Sequence, residues 1–464
     1  MENTFFCGAS ARAITPPSAL LPGLRGLGAR RFSGEVVSDI HVRCIALRSE
    51  EKTALIAAFE LDKVPYPERF LEELREKTGV PEEYILLFAT HIHTAPVCGV
   101  RPDEGINDIR GRDAECQSAE REYVEFLLAR CAAAAEEAIA ALSPARAGWA
   151  DGTSYIGVNR VQDFYVEADG NGPAGRVTAP GVNFEGPADH TLFVMRFETL
   201  SGAPIAFFIN YAVHNTAMIW ANSDGKGAIP ICADIAGEVS SLLEKRYPGS
   251  TAVWSSGAGG DVNPIMMNEF LYPDETTGLG AYVTARGMEA PTLALTVMSR
   301  RHYQDVLAVL RNLFCTENTV LRGAAVGWSR TPGRLVRKTG DGGEEILTGG
   351  DTPTYDVRET LLDLGGAVLC GFSGEVYTTI GLAIKEAIPK RTVVVNHACS
   401  LLSNAGYIFD DATLERLDSS VRKVHVPGYG AESHILPGYV QESLCALTAE
   451  LYQTIEGKEA KNHV

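Results

Sequence analysis

Short apolar runs that break off at polar residues recur along this chain and constrain its fold more than any other feature. Tyr84 to Phe88 runs into Ala89-Thr90-His91-Ile92-His93-Thr94-Ala95-Pro96, and Pro204 to Val213 runs into His214-Asn215-Thr216. Thr251 to Ser255 breaks at Gly257-Ala258-Gly259-Gly260-Asp261-Val262-Asn263-Pro264, and Val368 to Phe372 reaches Ser373-Gly374-Glu375. Runs of this kind suit strands buried on both faces. Further strands are expected at 7–15, 36–48, Thr53 to Glu60, Thr191 to Phe197, Asn318 to Trp328 and Arg391 to Ala398, with a hairpin-like region at 330–352. Helical patterns lie between them at Glu68 to Lys77, Glu115 to Leu142, Asp234 to Tyr247, most of 280–314, the stretch after Glu375 to Ile388, and 437–456. Residues 151–189 read as irregular surface or a lid. Strands alternating with helices give an α/β class, and the early succession of strands predicts a mixed β-sheet core flanked by helices. No internal repeat is visible, no composition shift marks a boundary, and residues 1–464 read as a single domain.

Charge narrows the partners. The formal net charge is −18, from 41 Lys and Arg against 59 Asp and Glu. That argues against nucleic acid and against anionic membranes as partners. No stretch has the ~18 consecutive apolar residues of a membrane span. The first residues lack a basic segment followed by a long apolar one, so no signal peptide is expected. The ten cysteines form no CxxC pair. Together these features predict reduced thiols and a cytoplasmic protein. Self-association into a homo-oligomer stays open.

Chemistry concentrates where the runs end. In an extended strand residues i and i+2 share a face, so His91 and His93 are expected side by side, with Pro96 stopping the ladder. His91, His93, His214 and Glu375 are residue types that bind zinc, and a catalytic zinc keeps one position open for water. No HExxH helix is present, so any such site is dispersed along the chain. Taken singly, Glu375 also reads as a first-turn acid of the following helix, and Tyr407 as a core or turn tyrosine. The glycine-rich run at 257–264 lacks the Lys-Ser/Thr pair of a phosphate loop.

Several motifs then fit one family in order. Ile14-Thr15-Pro16-Pro17, the glycine-rich loop at 23–28, Thr90-His91-Ile92-His93-Thr94-Ala95-Pro96, Asn159-Arg160, His214-Asn215-Thr216, Gly260-Asp261-Val262-Asn263-Pro264, Gly374-Glu375 and Asn404-Ala405-Gly406-Tyr407 occur in sequence. In these the chain resembles the N-terminal catalytic domain of neutral/alkaline, non-lysosomal ceramidases, over about residues 7–440. The resemblance implies a ceramidase-like α/β fold and a zinc-dependent hydrolase of an amide (N-acyl) bond. It implies His91, His214, Glu375 and Tyr407 as ligands of Zn2+. It implies His93 as a neighbouring proton-handling histidine, Arg160 as a contact to the reacting carbonyl, and Tyr429 as a substrate-facing tyrosine, with Gly430 where the family has Glu.

Two departures bear on the substrate. The family's Gly-Asp-Val-Ser-Pro serine is Asn263 here, which cannot form an acyl-enzyme, so attack is expected from water. The chain also ends near where the family's C-terminal sandwich begins. This second departure favours a more soluble small-molecule amide or N-acyl compound over membrane-embedded ceramide. The alternatives are a zinc hydrolase of an ester or cyclic amide, or a non-catalytic metal-binding homologue.

Overall fold

A computed structural model describes residues 5–98, 114–170, 172–266, 269–270, 283–284, 287–317, 319–338, 344–347, 354–399, 406–422, 426, 433–435 and 440–462. Its centre is a mixed eight-stranded sheet. In spatial order the strands are Thr251–Ser256, Pro204–Tyr211, Thr191–Thr199, Ser143–Thr153, Phe5–Ala13, His41–Ser49, Lys52–Phe59 and Ile85–Ala89. Only the pairs at the two ends are parallel. A second sheet contains Glu344–Leu347, Gly323–Lys338, Thr354–Asp363, Ala367–Phe372 and Arg391–Val395.

Side-chain alternation sorts these strands into four layers. Leu86 and Phe88, Phe193 and Met195, and Phe208 and Val253 point from the large sheet onto Leu362, Leu369, Val393 and Val395 of the second sheet. Their neighbours Leu87, Val194, Ile209 and Trp254 point the other way, towards the helices Pro67–Thr78, Ala114–Ala140, Asp234–Arg246 and Glu289–Arg311. The outer face of the second sheet is covered by Thr378–Glu386 and Val440–Asn462. Burial on both faces is why Ile85–Ala89 reads as an unbroken apolar run. Each such side chain contributes about 1.5–3 kcal/mol when fully buried.

The structure contains a repeat that the sequence hides. One unit consists of the hairpin His41–Ser49/Lys52–Phe59, the helix Pro67–Thr78 and the parallel strand Ile85–Ala89. A second consists of Thr191–Thr199/Pro204–Tyr211, Asp234–Arg246 and Thr251–Ser256. A third consists of Thr354–Asp363/Ala367–Phe372, Thr378–Glu386 and Arg391–Val395. Phe59 stands opposite Ala89, Tyr211 opposite Ser256, and Gly371 opposite Val395. In each unit the second strand ends on an aromatic residue, Phe59, Tyr211 or Phe372, the last of these one residue past its final parallel-paired position.

Several sequence expectations need correction. Residues 151–189 are not mostly irregular: Gly157–Val166 and Gly175–Asn183 form an antiparallel hairpin with Val166, Val177 and Ala179 packed together. Only one small face of that hairpin is apolar, so its alternation is faint. The strand placed at 36–48 divides into Phe32–Val36 and His41–Ser49. The strand expected from Asn318 starts at Gly323 and runs on to Lys338, and Thr354–Asp363 and the helix Asp411–Asp418 were not anticipated. No helix among the described residues is long and apolar enough to cross a membrane.

Candidate metal centre

The three repeated units each deliver a polar side chain from the third residue after that terminal aromatic. Phe59-Glu60-Leu61-Asp62, Tyr211-Ala212-Val213-His214 and Phe372-Ser373-Gly374-Glu375 bring Asp62, His214 and Glu375 to two adjoining buried groups that share His91, Asp62 in one and His214 with Glu375 in the other. His91 enters from the end of Ile85–Ala89, though not by the pleat that the sequence suggested. The strand stops at Ala89, and His91 turns into the left-handed region with φ 61°. His91 and His93 are therefore neighbours through a turn, their rings perpendicular and 4.6 Å apart. Glu375 likewise lies outside the helix, which starts at Thr378. It pairs instead with Tyr407 in a short parallel bridge, Glu375 opposite Tyr407 and Val376 opposite Ile408. That register puts the carboxylate and the phenol on one face.

The donor atoms meet closely. His214 Nε2 lies 3.2 Å from Glu375 Oε2 and 3.2 Å from the Tyr407 hydroxyl. His91 Nε2 lies 3.4 Å from the same Glu375 oxygen. Zinc bonds of ~2.0–2.1 Å arranged tetrahedrally separate ligand atoms by about 3.3 Å, so these spacings fit a zinc-sized ion. Both imidazoles are oriented from behind. His91 Nδ1 is 3.1 Å from Asp62 Oδ1 and 3.1 Å from the Asp62 carbonyl oxygen. His214 Nδ1 is 2.8 Å from Gly259 O and 3.1 Å from Val262 O. Each Nδ1 faces only acceptors and carries a proton, so a metal at the centre would take the place of any proton on Nε2 and meet its lone pair.

The electrostatics agree with a cation there. Burial pushes His91 down, but Glu375 and Asp62 outweigh it and hold the imidazole up to about 10. Burial would raise Glu375, yet His91 and His214 keep its carboxyl well below the usual carboxylate range. A positive charge is thus favoured between the two carboxylates. Burial and then the Arg160 charge push His214 down to about 4, and burial and then His91 push His93 down to about 3, so both are neutral at pH 7. Burial raises the Tyr407 phenol and Arg160 opposes it.

His93 Nε2 lies 3.1 Å from His91 Nε2 and 3.6 Å from Asp62 Oδ1, while its buried Nδ1 has no hydrogen-bond partner among the described residues. Arg160, on Gly157–Val166, donates from Nη2 to Gly260 O at 2.6 Å and from Nη1 to Asn263 Oδ1 at 3.4 Å. Its guanidinium sits 5.0 Å from the centroid of the Tyr407 ring. Asp261 turns away from the centre. Its carboxylate accepts from Asn159 Nδ2 at 2.8 Å and from the Thr378 N–H and hydroxyl at 2.8 and 2.7 Å, so it ties the Arg160 strand to the Glu375 loop.

The glycine-rich run also has a physical reason. A Cβ on Gly259 would lie 2.8 Å from Val213 N, and one on Gly260 2.5 Å from Glu375 O. Glycine lets this turn press against the backbones that carry His214 and Glu375.

The structure therefore brings together His91, His93, His214, Glu375, Tyr407, Arg160 and Asn263. Tyr429 lies outside the described residues, as do Gly430, Asn404 and Ala405. Sequence reasoning missed Asp62 and His397. His397 is buried and stacks on His91. Asp62 could have been found from its place three residues after Phe59.

No family model matches the chain, and a search of curated proteins finds no match. Solved structures do share its fold. Neutral ceramidase from Pseudomonas aeruginosa aligns over 97% of this chain and 74% of that one, with a TM-score of 0.65 and 14% identity. A ceramidase complexed with C2 aligns over 98% and 76%, with a TM-score of 0.66 and 13% identity. The expected mixed α/β, ceramidase-like fold is what the chain adopts.

Proposed function

We propose that this chain is a zinc-dependent hydrolase of the carbon–nitrogen bond of an amide or N-acyl compound. The observation that carries the reading is the convergence of four donor atoms: Glu375 Oε2 lies 3.4 Å from His91 Nε2 and 3.2 Å from His214 Nε2, and the Tyr407 hydroxyl lies 3.2 Å from His214 Nε2, with both Nε2 atoms directed inward. The motif resemblance and the fold shared with ceramidases support the amide as the bond attacked. These four residues would hold the ion. When bound, zinc supplies a Lewis acid for the carbonyl and lowers the pKa of a water towards ~7.

The chain's own groups do the rest. His93 is neutral and buried beside His91, so its imidazole takes a proton from the attacking water and returns it to the leaving nitrogen. Arg160, fixed by Gly260 O, donates towards the carbonyl oxygen as negative charge develops there. Asn263 accepts from Arg160 and is no nucleophile, which leaves water to attack. The test is metal analysis together with a panel of N-acyl, ester and cyclic-amide substrates. One zinc per chain, preferential N-acyl cleavage, and loss of both metal and turnover in His214→Ala are expected. A metal-free preparation that hydrolyses amides at full rate sinks the proposal. Preferential ester or lactam cleavage moves it to that bond.

A further inference from the structure

We infer that Asp62 is a positioning residue of the metal centre, the carboxylate that fixes the His91 imidazole for zinc; the inference rests on the zinc reading above. It starts from the repeat. Three equivalent strand ends each deliver one side chain from the third residue past a terminal aromatic: Asp62, His214 and Glu375. Two of these reach the centre directly. The third stops one imidazole short, because the parallel strand of its own unit supplies His91, whose ring lies between.

Asp62 is built for that place. Its side chain is 6% exposed, and Oδ1 lies 3.1 Å from His91 Nδ1. Its carbonyl oxygen is 3.1 Å from the same nitrogen. One residue thus grips the Nδ1–H with two acceptors and aims Nε2 at Glu375. The His91 backbone has a left-handed φ of 61°, unusual for a residue with a side chain. Ring orientation therefore depends on what holds the far side of the ring. A carboxylate there also makes the imidazole a stronger donor to a metal. His214 receives its equivalent support from Gly259 and Val262 carbonyls, which no side-chain substitution removes. Asp62 is a side-chain acceptor behind a candidate ligand, so mutation reaches it directly.

The experiment measures zinc affinity by competition with a chromophoric chelator for the wild-type chain, Asp62→Ala and Asp62→Asn. Circular dichroism and thermal unfolding of the metal-free proteins accompany it. Asp62→Ala should weaken zinc about 10–100-fold, as losses of metal-supporting partners do. Asp62→Asn keeps a neutral acceptor for Nδ1 and should fall between the two. At saturating zinc, kcat should drop more than KM rises. If Asp62→Ala does not fold, the near-isosteric Asp62→Asn decides alone. Wild-type zinc affinity in both variants, or in Asp62→Asn alone when Asp62→Ala fails to fold, overturns the inference and leaves the zinc reading standing. A wild-type chain that binds no zinc overturns both.

Discussion

The imidazoles of His91 and His397 lie parallel, with ring centroids 3.8 Å apart and planes 12° from coplanar. Both backbones are left-handed, at φ 61° and 59°. His397 N donates to Gly374 O at 3.1 Å, and its carbonyl accepts from Ala89 N at 3.2 Å. One residue therefore joins the loop carrying Glu375 to the strand end carrying His91. His397→Asn should keep the left-handed backbone, which Asn tolerates, but leave a void against His91. A loss of about 2–4 kcal/mol in stability is expected, the scale of large-to-small core changes. Denaturant unfolding of the metal-free protein checks it, and an unchanged midpoint would refute the role given to the ring.

A buried acid outside the centre should contribute to how stability varies with pH. Glu359 is fully buried and accepts from the Thr448 hydroxyl at 2.9 and 3.1 Å. Burial pushes its carboxyl up to about 8, against the opposing bonds from Thr448 and Cys370. The folded chain keeps this proton until about pH 8, whereas the unfolded chain releases it near ~4.3. Between those values the unfolded state binds fewer protons, so this group makes stability fall as pH rises, by at most about 1.4 kcal/mol per unit. Below the window its effect is absent, and above it the loss is complete. Glu359→Gln should flatten the decline, which urea midpoints at pH 5, 7 and 9 would read. A wild-type slope in the variant excludes Glu359 as its source.

Strand ends were the legible part of this centre. His91, His214 and Glu375 could be singled out because an apolar run cannot end on a buried polar residue without a partner. Their convergence was not legible, since it depends on three units at distant positions adopting one register. The repeat escaped notice because its units share geometry and not residues: Asp62, His214 and Glu375 differ chemically, and the intervening helices differ in length. His397 is hidden for another reason, since nothing in Val395-Asn396-His397-Ala398 announces a left-handed turn. Tyr407 and Arg160 were readable only by resemblance. One sits in a two-residue bridge and the other in a hairpin whose apolar face is too small to show in the pattern.

Gly260→Ala should disturb the centre without substituting a candidate ligand. Its Cβ would lie 2.5 Å from the Glu375 carbonyl oxygen and 2.8 Å from the Tyr377 ring. Backbone cannot retreat as a flexible side-chain end can, so the Glu375 loop must shift. Such overpacking costs about 1–3 kcal/mol, and weaker zinc retention should accompany it. Gly170→Ala is the control, because nothing among the described residues, its chain neighbours aside, lies within 4 Å of its added methyl. Equal thermal stability and equal zinc affinity in the two variants would contradict the packing argument.

Arg160 and Asn263 touch, yet their substitutions should have unequal effects. The Arg160 fork holds Gly260 O through Nη2 at 2.6 Å, and Asn263 reaches Nη1 only at 3.4 Å. Arg160→Lys keeps the charge but loses the planar fork that aims it. If the guanidinium stabilises charge on the carbonyl oxygen, kcat should fall about 10²–10³-fold while bound zinc is unchanged. Asn263→Ala removes one long hydrogen bond, worth about 1 kcal/mol or less, and should slow turnover no more than about fivefold. Steady-state kinetics on a cleaved N-acyl substrate, with metal content measured on the same samples, separates the two. Near-complete loss of kcat in Asn263→Ala would mean that Asn263 takes part in the chemistry itself, and that water attack aided by His93 and Arg160 is not the whole mechanism.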